Sequence, residues 1–131
     1  MTTQKTYSIG ELAREFQITT RTIRFYEDQG LLHPQRRGQT RIYLPSDRVA
    51  LKLILRGKRL GLSLAESREL IQLYIPAGDN RHQLQALLDK IAEKRAMLEQ
   101  QLKDIQAMQQ EMDEAEQRAR EAMMQLENNN V

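Results

Sequence analysis

TTRTIRFYEDQGLL, residues 19–32, decides the fold. Thr19 is a good helix N-cap, because its hydroxyl can accept an N–H that the first turn leaves unpaired. Ile23 and Tyr26 lie three apart and mark an inward face, with Phe25 a further inward candidate. Thr20, Arg21 and Arg24 fall toward the opposite side. Gly30 ends the helix, and Leu31-Leu32 return the chain to a core. A helix that only filled a core would need no arginines three residues apart at its front. Such a helix suits insertion of its N-terminal half into a major groove, where Arg21 and Arg24 meet guanine edges or phosphates. Thr19 and Thr20 add hydroxyls and a helix N-terminus that attract phosphate. Tyr26 can offer its phenol to the backbone.

The flanking residues support this reading. Upstream, Ser8-Ile9-Gly10-Glu11 fits a capping box, followed by the stripe Ile9, Leu12, Ala13, Phe16. Gln17 and Ile18 form a short turn, so two short helices make a helix-turn-helix. Downstream, HPQRRGQTRIYLPSD (residues 33–47) breaks helix at Pro34 and Gly38, and Thr40 to Leu44 favours an extended strand. This predicts a β-hairpin wing rich in arginine: Arg36, Arg37 and Arg41. Ser46 is expected to cap a third helix with Val49, Leu51, Leu53, Ile54, Leu55 and Leu60 available for the core, stopped by Gly61. Ser63 and Glu66 form a second capping box, opening a fourth helix through Leu70, Leu73 and Tyr74.

From about Asn80 the pattern changes to a heptad. Leu84, Ile91, Leu98, Ile105, Met112, Ala119 and Leu126 recur every seven residues. A second row, Leu87, Lys94, Gln101, Met108, Ala115 and Ala122, is broken by Lys94 and Gln101, which would set register. At ~1.5 Å per residue such a helix spans roughly 70 Å. A second copy is the economical partner for its stripe. The alternative is a helix folded back on its own head, most readily over its first two turns. The expected organisation is mainly all-α: residues 1–75 a winged helix-turn-helix head, 76–79 a linker, 80–127 a coiled-coil dimerisation helix, and 128–131 a disordered tail. The dimer contacts are assigned to Leu84, Ile91, Leu98, Ile105, Met112 and Ala119.

Composition bounds the chemistry. Residues 1–60 carry 12 Lys/Arg against 5 Asp/Glu, a net +7, while residues 61–131 carry 8 against 13, a net −5. The basic half suits a polyanion. The chain has no Cys, so disulfides, thiolate metal sites and thiol redox sensing are excluded. Its two histidines, His33 and His82, lie far apart, and no metal or other cofactor is expected. No apolar run approaches about 18 residues, and no signal peptide is recognised, so a cytoplasmic protein without membrane contact is expected. Ser8, Ser46, Ser63 and Ser67 have no His partner in a nucleophile arrangement, and Glu114 and Glu116 sit in the acidic helix, so no enzyme is expected.

SIGELAREFQITTRTIRFYEDQGLL, then RRGQTRIYLPSD, then LILRGKRLGLSLAE, resembles the winged-helix head of the MerR family of bacterial transcription regulators. The likeness covers about residues 7–75, and the long helix fits that family's dimerisation element. Within the family the head is most similar to regulators of leucine, isovalerate and related acyl-CoA catabolism. The resemblance implies an antiparallel homodimer on a promoter whose spacer is too long. The dimer would bend and untwist it so that RNA polymerase engages both hexamers. It implies DNA contacts by Arg21, Arg24 and Tyr26, by Arg41 and Tyr43 in the wing, and by Lys58 as a phosphate clamp. For Tyr43 a place in the wing core is the equal alternative. Arg36 and Arg37 rest on charge. Metal-sensing members use cysteines near the far end of the long helix, which this chain lacks. The absence of cysteines leaves the effector open; the likeness to regulators of acyl-CoA catabolism suggests an acyl-CoA, and Met108, Met112, Met123 and Met124 offer either an adaptable apolar site or plain helix packing. The rival from another class is a MerR-like protein adaptor, such as a chaperone modulator, that does not touch DNA.

Overall fold

The computed structural model describes residues 5–130. The element order is α1 (Ile9–Phe16), α2 (Thr20–Asp28), β1 (Gln35–Arg37), β2 (Thr40–Ile42), α3 (Pro45–Arg59), α4 (Leu64–Leu73) and α5 (Arg81–Asn129). The chain divides into two compact units, residues 1–90 and residues 91–131.

Local chemistry sets the boundaries in the first unit. The Ser8 hydroxyl accepts from Glu11 N–H at 3.1 Å, and the Glu11 carboxylate takes the Ser8 N–H. Gln17 adopts a left-handed φ of 55°, which closes α1 and turns the chain into α2. The Thr19 hydroxyl accepts from Thr22 N–H at 3.1 Å. Gly30, with φ 76°, follows the end of α2. Ser63 and Glu66 form the capping box of α4.

The start of α3 differs from expectation. Ser46 is not its cap: Leu44 is the N-cap residue and Pro45 the first helical residue. Proline suits that position because its missing N–H would be unpaired there anyway. Asp47 supplies the acceptor, with Oδ2 taking the Leu44 N–H at 3.0 Å and Oδ1 the His33 N–H at 2.9 Å. This buried carboxylate therefore ties the segment leaving α2 to the start of α3.

Strands β1 and β2 pair antiparallel, Gln35 with Ile42, Arg36 with Arg41 and Arg37 with Thr40. Gly38 supplies the positive φ of 65° that a two-residue hairpin loop requires. Past β2, Tyr43 and Tyr7 exchange two backbone hydrogen bonds of 2.9 Å, anchoring the exit of the hairpin to the start of the chain.

The core joins α1, α2, the residues that follow α2 and β2, and α3: Leu12, Ile23, Tyr26, Leu31, Leu32, Tyr43, Ala50, Leu51 and Ile54, with Leu64 and Ile71 of α4 packed against it. Val49, Leu53 and Leu55 are half-buried. Two residues expected inside are exposed instead. Phe25 is 46% exposed and Leu60 is 44% exposed. Ile23 and Tyr26 already define the inward face of α2, and at ~100° per residue Phe25 turns away from it. Leu60 lies beyond the last turn of α3, at its C-cap.

Between α4 and α5 the Asn80 side chain accepts from Ile75 N–H and donates to the carbonyls of Ile75 and Gly78, folding the linker into a tied turn. The first turns of α5 rest on α4: the buried Gln83 donates to the Leu70 carbonyl at 3.0 Å, and Lys90 Nζ lies 2.7 Å from Glu69 Oε2. In the second unit α5 continues through Asn129. Asn128 and Asn129 are helical where a disordered tail is expected, because the helical ladder already formed upstream lets each further residue add its bond without a new nucleus. Val131 lies outside the described residues.

Candidate nucleic-acid interface

Helix α2 presents Arg21 and Arg24 outward, both exposed, with Phe25 and Asp28 beside them. Arg24 Nη2 donates to the Thr20 hydroxyl at 3.3 Å, which steadies the guanidinium over the first turn. The Thr19 hydroxyl is already engaged by Thr22, so its role here is to cap the helix. The outer face of α2 thus has two arginines and an aromatic ring at its front, over a buried row of Ile23 and Tyr26.

The wing brings its arginines to the rear of the same helix. Arg36 and Arg41 are cross-strand partners and so share one face of the hairpin. Both reach Glu27 on α2: Arg41 Nε lies 2.8 Å from Oε2 and Arg36 Nη2 lies 3.3 Å from Oε1. Arg37 projects from the other face and is exposed. Lys58, in the last turn of α3, joins Phe25, Tyr26, Ile54 and Leu62 around a cleft of about 210 Å³. The structure therefore groups Thr20, Arg21, Arg24, Arg36, Arg41 and Lys58 on or beside α2.

The two tyrosines lie inward, Tyr26 on the face expected of it and Tyr43 in the core place weighed as its alternative. Tyr26 is 3% exposed and Tyr43 is fully buried, so both phenols belong to the core. Tyr43 shares its strand face with Arg41, two residues earlier, and that face looks toward the head. Its hydroxyl has no hydrogen-bond partner among the described residues. Burial first, then the nearby Glu27 charge, push the Tyr43 phenol up to about 12, and burial raises that of Tyr26. Tyr26 lines the cleft that Lys58 borders, whereas the Tyr43 hydroxyl is enclosed.

Three contributors were missed by sequence reasoning. Glu27 joins partners 9 and 14 residues away, a link no local pattern contains. Asp47 had a signal, since Pro45 at the first helical position puts an acid at the third, but Ser46 obscured it. Phe25 was a further inward candidate beside Tyr26, and its exposure sets an aromatic ring on the outer face instead.

A further cationic group joins α3 to α1. Arg48 is bound by the Glu15 carboxylate, with Nε to Oε1 at 3.0 Å, and its guanidinium stands 5.9 Å from the ring centres of both Tyr7 and Phe16. The hydrogen bond from Arg48 holds the Glu15 carboxyl below its ordinary value.

A family model described as "MerR HTH family regulatory protein" matches residues 7–73, and another, "MerR, DNA binding", matches residues 48–115. The HTH-type transcriptional regulator ZntR of Escherichia coli (strain K12) is 35% identical over 105 residues, covering 79% of this chain and 73% of the relative. The chain belongs to the MerR family. The HTH-type transcriptional regulator CueR of Escherichia coli O6:H1 is 31% identical over 104 residues, covering 77% of this chain and 74% of the relative. Among solved structures, HiNmlR, a MerR family regulator lacking the sensor domain and bound to promoter DNA, aligns at 25% identity with a TM-score of 0.54, covering 76% of each chain. This MerR chain is accordingly a DNA-binding transcriptional regulator by family, a class that is not enzymatic. The comparisons do not favour the protein-adaptor alternative. Among the described residues no helix is long and apolar enough to cross a membrane, and no group of His, Asp or Glu is placed to hold a metal.

Proposed function

We propose that this MerR regulator acts as a cytoplasmic homodimer that grips promoter DNA and distorts it to control the entry of RNA polymerase. The observation that carries the reading is the outer face of α2, where Arg21 and Arg24 stand exposed, with the wing arginines held by Glu27 of the same helix and Lys58 at the cleft beside Phe25. Arg21 and Arg24 read base edges. Arg36, Arg37, Arg41 and Lys58 hold phosphates, which positions the helix and offsets a bending cost on the order of 1–6 kcal/mol.

The apolar row of α5 supports pairing. Leu98 is 64% exposed, Ile105 55%, Met112 62% and Leu126 65% in the single chain. A stripe of that length left in water is a liability, and a second copy of the same helix covers it. The dimer then presents two heads to two half-sites.

The effector reading is narrower. Overall likeness to regulators of acyl-CoA catabolism makes an acyl-CoA thioester the effector to test first, with the exposed Met108, Met112, Met123 and Met124 as adaptable apolar contacts. Calorimetric titration against a panel of acyl-CoAs should give heat for at least one; none from any rejects this effector.

Binding to a duplex selected from a random pool tests the DNA reading. Affinity should fall steeply with salt, by a log–log slope of about −0.9 per phosphate contact. Arg21→Ala and Arg24→Ala should each cost about 1–3 kcal/mol on the selected duplex and less on random DNA. Equal losses on both duplexes would demote that arginine to a phosphate contact.

A further inference from the structure

We infer that Glu27 is a positioning residue for DNA binding: its carboxylate holds the wing arginines from the protein side and leaves their outer edges for phosphate. The register of the hairpin creates the need. Arg36 and Arg41 face each other directly across the ladder, and like charges at such positions repel. A wing with that pair unneutralised splays or lets both side chains swing into solvent. Glu27 arrives from α2 with one oxygen for each arginine, 2.8 Å to Arg41 and 3.3 Å to Arg36. Its side chain is 17% exposed, so water screens the contact only in part.

The geometry leaves donors to spare. A guanidinium carries five N–H groups in a rigid fork. Glu27 takes the Nε side of Arg41 and one Nη of Arg36, so each arginine keeps further N–H groups for a second acceptor. A phosphate is that acceptor, and two partners on opposite edges fix the plane of the fork. Because Glu27 lies in the last turn of α2, the grip also couples the wing to the helix that carries Arg21 and Arg24. Wing and recognition helix then meet the duplex as one surface.

This inference rests on the wing gripping phosphate, and the experiment separates the two ideas. Fluorescence anisotropy would follow the full chain on a duplex selected from a random pool by the wild type, and on a random duplex of equal length, across a salt series. Arg41→Gln tests the wing: wild-type affinity and slope on the selected duplex would remove the phosphate reading and this inference with it. Given a weakened Arg41→Gln, Glu27→Gln should weaken the selected duplex by about tenfold and flatten its salt slope by about one contact. Glu27→Asp, which keeps the charge, should recover part of the loss. With Arg36 and Arg41 both changed to Gln, adding Glu27→Gln should cost nothing more. Tighter binding of both duplexes by Glu27→Gln would overturn the inference, because Glu27 would then only compete with DNA for the arginines. A loss that simply adds to that of the arginine variants would overturn it as well, because Glu27 would act independently of them. Urea unfolding of each variant keeps these outcomes distinct from a head that no longer folds.

Discussion

Asp47→Asn removes one oxygen acceptor from a buried site with two donors. In the native head the carboxylate takes the His33 N–H at 2.9 Å and the Leu44 N–H at 3.0 Å, with the residue 5% exposed. Hydrogen bonds to a charged group contribute about 1.5–3 kcal/mol each. Asparagine keeps one carbonyl oxygen, while its NH2 group faces the other N–H and strands that donor. The net cost should be about 2–4 kcal/mol. The head offers its own reporter. All four tyrosines lie within residues 7–74 and there is no tryptophan, so tyrosine emission follows this unit rather than the distal part of α5. With a urea slope of about 1–1.5 kcal/mol/M, the midpoint should fall by roughly 1.5–4 M. Asp47→Ala, which strands both donors, should fall further. A midpoint for Asp47→Asn within about 0.5 M of wild type would refute the reasoning, since it would mean that the two backbone donors are satisfied without the carboxylate.

Gly57 is buried where α3 meets α4, and a Cβ there would stand 2.7 Å from the Ser67 hydroxyl oxygen and 3.3 Å from Leu62 Cδ1. Gly57→Ala should cost a net of up to about 2 kcal/mol, since overpacking of about 1–3 kcal/mol outweighs a helix-propensity gain of about 1 kcal/mol. Ser67→Ala should recover much of it in a double-mutant cycle, and a neutral Gly57→Ala would contradict the close approach. Tyr43→Phe deletes a buried hydroxyl with no partner, so it should leave stability unchanged or raise it by up to about 1 kcal/mol, with DNA affinity intact. The Tyr43 phenol keeps its proton to about 12 in the folded chain and loses it near 10 when unfolded, so folding stability falls as pH rises between those values. Tyr43→Phe should flatten that alkaline loss, and an unchanged profile would argue against it. Glu15 is depressed below its ordinary value, chiefly by the hydrogen bond from Arg48, so its contribution is present above the usual carboxylate range and lost as pH falls through the lowered value. The pair is exposed, so the acid-side difference between wild type and Glu15→Gln in a urea series should be at most about 1 kcal/mol.

The parts of the head that could be read from sequence are those whose causes are local. Ser8, Thr19 and Ser63 cap their helices through donors three residues ahead, a spacing visible in a string of letters. The hairpin followed from Gly38 between two arginine-bearing strands, and the long helix from its seven-residue row. What escaped was decided by competition or by three-dimensional neighbours. Pro45 and Asp47 outcompeted Ser46 at the start of α3. Of two adjacent aromatics in α2, only Tyr26 lies on the face set by Ile23. Sequence left two places open to Tyr43, and the strand face it shares with Arg41, turned to the head rather than to solvent, decides between them. The tie between Glu27 and the wing depends on the hairpin folding back on α2, which no window of sequence contains. The exposed arginines on α2 were legible because charge on an outer helical face needs no tertiary knowledge.

Energy transfer between dyes at the two ends of a selected duplex, titrated with the full chain, reports stoichiometry and deformation together. The account predicts an end point at two chains per duplex and a shortened end-to-end distance at saturation. An end point at one chain, with the dye separation unchanged, would contradict it.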